Sequence, residues 1–129
     1  MTAVYCFAKY YSLEKRMSYS DLIKEIVGAY RKHGWQLRRV LLRPETRSEL
    51  DAELASGSLP LDGAQIHEGS VDGLWFSRQS HEEREAWELR LLAENPFALF
   101  ETFENDETEE QREEMRLEME ARLRDYVQK

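Results

Sequence analysis

Four arginines, Arg38, Arg39, Arg43 and Arg47, lie within ten consecutive positions, preceded by Lys32, His33 and Trp35. A guanidinium presents a planar fork of N–H donors that meets carboxylate or phosphate oxygens in pairs. Along a strand edge beside an indole, such a set makes a patch for an anionic ligand. Single-stranded nucleic acid, with a base stacked on Trp35, would use the same parts. The competing expectation is structural, with these cations pairing to surplus acids elsewhere in the chain. The candidate ligand-binding residues are therefore Arg38, Arg39, Arg43, Arg47 and Trp35. Nucleic acid is the disfavoured ligand, because the acidic remainder of so small a domain repels a polyanion across a Debye length of ~8 Å.

No other residues form a reactive set. His33, His67 and His81 stand at no metal-ligand spacing. His81-Glu82-Glu83-Arg84-Glu85 begins like the H-E-x-x-H zinc helix but carries Glu85 where the second histidine is required, so no metal is expected. The serine of Gly69-Ser70-Val71-Asp72-Gly73 follows its glycine directly, which breaks the nucleophile-elbow spacing. Gly57-Ser58 lacks the second glycine and the lysine of a phosphate loop. The lone Cys6 excludes an internal disulfide, fits a reducing compartment and reads as a small buried hydrophobe. No catalytic residue and no cofactor is expected, and an enzyme is the least favoured class.

The chain that must position these residues has 129 of them, the length of one domain spanning 1–129. Its formal net charge of -8 is unevenly laid out. Residues 1–47 hold ten Lys/Arg against four acids, a balance of +6, and residues 48–129 hold eight against 22, a balance of -14. Folded on one core, the halves attract each other; their surface is bipolar and suited to a copy of itself or a charged ligand. The start, Met1 to Lys9, has no basic signal region, and no run approaches the ~18 apolar residues of a membrane span. A cytoplasmic, non-membrane location is expected.

The densest source of burial is Val71 to Phe103. Trp87, Leu89 and Leu91 alternate with Glu88 and Arg90, the period of a strand with one face in the core. This stretch predicts an antiparallel meander whose last strand follows Asn95-Pro96. A helix over 97–103 is the alternative, since Asn-Pro also starts helices. Upstream, a short strand is expected over 3–11, and an amphipathic helix over about 18–33, opened by Ser18 and Asp21 and closed before Gly34. Trp35 to Arg43 predicts a strand with Trp35, Leu37 and Leu41 toward the core and Arg39 on that same face. Thr46 and Glu49 read as a capping box opening a short helix over about 46–55. A short strand is expected over 64–67, among Asp-Gly turns. The last helix, about 108–127, opens on a Thr108–Gln111 capping box and carries a narrow apolar stripe of Met115, Met119, Leu123, Tyr126 and Val127. One neighbour can cover that stripe, either the sheet or a second subunit.

These elements predict an α+β fold: a mostly antiparallel sheet of four or five strands with the three helices. In size, acidity and helix–strands–helix order the chain is similar to small bacterial secretion chaperones, from which the helix between its first strands departs. The expected function is a non-enzymatic interaction or adaptor protein that self-associates, with the C-terminal stripe as interaction surface and a homodimer as the first partner. A binding module for a phosphate or carboxylate ligand, through the arginine cluster, is the alternative.

Overall fold

The computed structural model describes residues 17–129. The strand expected over 3–11 and the burial expected of Cys6 lie outside them. Helix α1 (Tyr19–Lys32) starts where Ser18 Oγ accepts the Asp21 N–H at 3.1 Å, and its buried side follows the spacing of Leu22, Ile23, Ile26 and Val27. Gly34, with φ at 84°, takes the left-handed turn that ends it.

Strand β1 (Gln36–Leu42) follows, then the short helices α2 (Pro44–Glu49) and α3 (Asp51–Ser56), where a single helix over 46–55 was expected. The capping box of Thr46 and Glu49 does not form. Arg43 stands at the cap with Pro44 in the first helical position, and Thr46, one turn in, is fully buried. Its hydroxyl donates to Asp72 Oδ2 at 2.7 Å. Thr46 is a core residue.

Strands β2 (Gln65–Glu68), β3 (Gly73–Gln79), β4 (Glu85–Leu91) and β5 (Ala98–Phe103) complete a mixed, mostly antiparallel sheet in the order β2-β1-β3-β4-β5. The pair β1–β2 is parallel, which requires a crossover, and α2 and α3 supply it. The meander β3–β4–β5 is antiparallel throughout, with Glu88 opposite Phe100, so residues after Pro96 continue the ladder as a strand. Helix α4 (Glu109–Val127) opens on the reciprocal box, Gln111 N–H to Thr108 Oγ1 at 3.1 Å and Thr108 N–H to Gln111 Oε1 at 2.9 Å.

Helices cover both faces of the sheet. Leu22, Ile23, Ile26 and Val27 of α1 pack with Trp35, Leu37, Val40, Leu42, Leu74 and Phe76. On the other face Trp75, Trp87, Leu89, Leu91 and Phe103 pack with Met119 and Leu123 of α4. Gly73 permits that approach: a Cβ there would lie 3.1 Å from Leu89 Cδ1 and 3.2 Å from Leu123 Cδ2. The expected face assignment in β1 changes, because the register shifts between Leu37, opposite Phe76, and Arg39, opposite Trp75. Arg38 is the extra residue of a bulge. Leu37 therefore faces α1 with Val40 and Leu42, while Leu41 joins the cluster under α4.

The stripe expected to serve self-association lies mostly on this chain's own sheet. Met119 and Leu123 are 0 % exposed, and Met115 and Tyr126 pack against the same cluster. Val127 is its exposed member, at 49 %.

Candidate functional site

Ahead of Met119 and Leu123, helix α4 carries Glu109, Arg112, Glu113 and Arg116 at spacings of three and four. The side of α4 toward the sheet is thus ionic in its first half and apolar in its second. Where the ionic half meets the start of β1 and the approach to β2, an open groove of about 520 Å³ remains. Arg38, Arg39, Arg112 and Arg116 line it together with Glu85 and Trp87.

Each arginine is held differently. The Arg116 side chain is 3 % exposed; its Nη1 donates to Glu109 at 2.9 Å and to Glu113 at 2.8 Å. Its guanidinium carbon stands 4.1 Å from the Trp87 ring centroid and 5.4 Å from that of Phe103, so the cation is shielded by aromatic faces. Its Nε has no hydrogen-bond partner among the described residues. Arg39 grips Glu113 with both Nη atoms, at 2.8 and 3.2 Å. The hydrogen bonding from Arg39, reinforced by Arg116, holds the Glu113 carboxyl below the ordinary carboxylate range against the opposing effect of burial. Arg112 donates to Glu85 at 3.0 Å and to the Glu104 carbonyl at 2.8 Å.

Arg38 is the exception. It forms no ion pair among the described residues. Its one polar contact among them is Gln36 Oε1 at 3.5 Å, and its guanidinium carbon lies 5.9 Å from the Trp87 centroid. A bulge residue is re-aimed relative to its strand, which is how β1 delivers an exposed arginine here. The four guanidinium groups of the groove, with Arg31 at its edge, stand against Asp62, Glu85, Glu109 and the adjoining Glu113, a local balance of +1 in a chain of net charge -8. Asp62, on the rim, is engaged by Arg31.

The arginine cluster seen in the sequence is therefore divided. Arg38 and Arg39 reach the groove. Arg43, at the opposite end of β1, binds Asp72 through its backbone N–H at 2.8 Å and its Nε at 3.0 Å, and reaches Tyr19 and Thr46. Arg47 is exposed on α2. Trp35 is buried on the α1 face beneath the Arg78 guanidinium, 4.5 Å from its centroid, so it cannot stack a ligand beside Arg39. Trp87 stands in the groove in its place. The contributions of Arg112, Arg116 and Glu109 were missed, although the spacing Glu109-x-x-Arg112-Glu113-x-x-Arg116 marks one helix face.

Comparison with protein-family models, with curated proteins and with solved structures finds no match for the chain. Among the described residues, no helix is long and apolar enough to cross a membrane.

Proposed function

We propose that this chain is a binding module that captures an anionic group, phosphate or carboxylate, in the arginine-lined groove. Arg38 is the first contact, and Arg39, Arg112 and Arg116 supply fixed positive charge behind it. The observation that carries the reading is Arg38 itself, a guanidinium with no carboxylate partner among the described residues, beside arginines that carboxylates hold in place. Pre-positioned cations bind an anion without paying again for their own ordering. Calorimetric titration with inorganic phosphate, phenyl phosphate and succinate at low salt tests it. Binding is expected, weakened about 10-fold or more in Arg38→Ala, since a hydrogen bond to a charged group contributes roughly 1.5–3 kcal/mol. Absence of binding with all three anions, or unchanged affinity in Arg38→Ala, overturns the reading.

Self-association is a second reading, favoured by one feature. Phe100, 57 % exposed, projects from β5, an edge of the sheet among the described residues, with Glu101 the only charged residue in that strand. An edge so lightly guarded is a template for strand addition by a second copy. Sedimentation equilibrium is expected to give a dimer that Phe100→Lys weakens. A chain that stays monomeric at high concentration removes this reading and leaves the first untouched.

A further inference from the structure

We infer that the groove holds its own substitute ligand: the Glu109 carboxylate sits on Arg116 in place of an external anion, and a dianion enters by exchange with it. The inference rests on the anion-binding reading above and adds the charge class of the ligand and a built-in competitor.

The three carboxylates bound by the groove's own arginines are not equally held. Glu113 receives both Nη atoms of Arg39 and one of Arg116. Glu85 Oε1 receives Arg112 at 3.0 Å and the Trp87 indole N–H at 3.1 Å. Glu109 makes a single polar contact among the described residues, to Arg116 Nη1. Its side chain is 72 % exposed, whereas the guanidinium it covers is 3 % exposed. An ion pair with one partner in water contributes little, about two- to fivefold in an equilibrium constant. Glu109 is thus the one carboxylate able to leave cheaply. Leaving takes a side-chain rotation in the first turn of α4, and the Thr108–Gln111 capping box that holds the turn does not involve it.

Charge then selects the ligand. With Glu109 in place the groove stands at +1; with Glu109 turned out it stands at +2. A monoanion merely replaces the charge it displaces. A dianion gains Arg116 and Arg38 together. Its several acceptor oxygens also suit a guanidinium whose Nε lacks a partner among the described residues. The shared chemistry is a compact dianion, supplied either by a phosphate monoester or by a dicarboxylate.

The test compares wild type, Glu109→Gln and Glu114→Gln by calorimetry at low salt and pH 7.5, with phenyl phosphate, succinate and acetate as probes. Glu114 is exposed on α4 and makes no contact with the four arginines of the groove, so its variant removes the same charge without the exchange. Expected is binding of phenyl phosphate, succinate or both, two- to fivefold tighter in Glu109→Gln, unchanged in Glu114→Gln, with acetate at least tenfold weaker. Which dianion binds assigns the ligand to the phosphate or the dicarboxylate class. Dianion binding that Glu109→Gln leaves unchanged or weakens overturns the exchange while the anion-binding reading stands. The same holds if Glu114→Gln reproduces the gain, or if acetate binds as tightly as the dianions. If no variant binds any probe, both fail.

Discussion

Thr46→Val isolates a single buried hydroxyl. Thr46 is 0 % exposed, donates to Asp72 Oδ2 at 2.7 Å and accepts Arg43 Nη2 at 3.2 Å. Valine keeps the shape and removes both bonds. Asp72, itself buried, keeps the Arg43 backbone N–H and Nε, so the carboxylate is weakened in its support and not stranded. A hydrogen bond to a buried charge contributes roughly 1.5–3 kcal/mol, so the expected loss is about 2 kcal/mol. For a chain this long that lowers Tm by roughly 6–10 °C. Urea unfolding followed by tryptophan fluorescence should show a lower midpoint at unchanged slope. Thr46→Asp separates the two roles this residue could have. At a helix cap aspartate is as good as threonine or better. Against the Asp72 carboxylate it sets two negative charges in a buried space, at a cost of about 3–5 kcal/mol. A neutral or stabilising Thr46→Asp, or a Thr46→Val loss below about 0.5 kcal/mol, would refute the core assignment.

Gly28 lies within α1 with nothing within 4 Å of an added Cβ among the described residues, so Gly28→Ala should stabilise by about 1 kcal/mol in the same melt. Met119→Glu should abolish cooperative unfolding, because the side chain is fully buried, while Leu117→Glu on the exposed side of the helix should shift stability by no more than about 0.5 kcal/mol. The Tyr30 phenol donates to the Glu88 carboxylate; burial first, then that bond and charge, raise its pKa well above the ordinary 10.0. The native state holds this proton longer than the unfolded state, so its contribution is complete below pH 10 and is lost as pH rises beyond it. Absorbance titration at high pH should show this loss coupled to unfolding, and Tyr30→Phe should remove it. Arg116→Met should leave stability unchanged or raise it by about 1 kcal/mol, because Glu113 keeps Arg39 and Glu109 is free to turn to water. Binding of the dianion by calorimetry should nonetheless disappear, and a stability loss above about 2 kcal/mol would mark the guanidinium as structural.

The meander was legible because Trp87, Leu89 and Leu91 alternate with charged residues, and the ends of α1 and α4 because Ser18 and Thr108 cap as their local sequence implies. The faces of β1 were not. Periodicity assumes one residue per step, and the bulge at Arg38 spends two against one. The division of the arginine cluster follows from that slip and from Arg43 closing on Asp72, a partner 29 positions away. Thr46 deceived because a threonine three before an acid is a local signal, whereas its burial depends on Asp72. The stripe of α4 was anchored on Met115, four residues apart from Met119; the fully buried line is Arg116, Met119 and Leu123. An arginine in the leading position hid both the true face of the helix and the groove.

The bulge itself has an electrostatic reason. With Trp35 and Leu37 in their places under α1, an unbulged strand would turn Arg39 toward the same face, among Ile23 and Val27, which are 0 % exposed. An unpaired guanidinium there costs several kcal/mol, more than one residue lost from a ladder. One extra residue moves Arg39 to the opposite face, where Glu113 receives it bidentately. The attraction between the basic first third of the chain and its acidic remainder thus acts here by choosing the strand register. Arg31–Asp62 and Arg43–Asp72 join the same two regions elsewhere. The residue inserted to achieve that register is Arg38, so the choice that hides one arginine in an ion pair is also what presents its neighbour, without a carboxylate, to the groove.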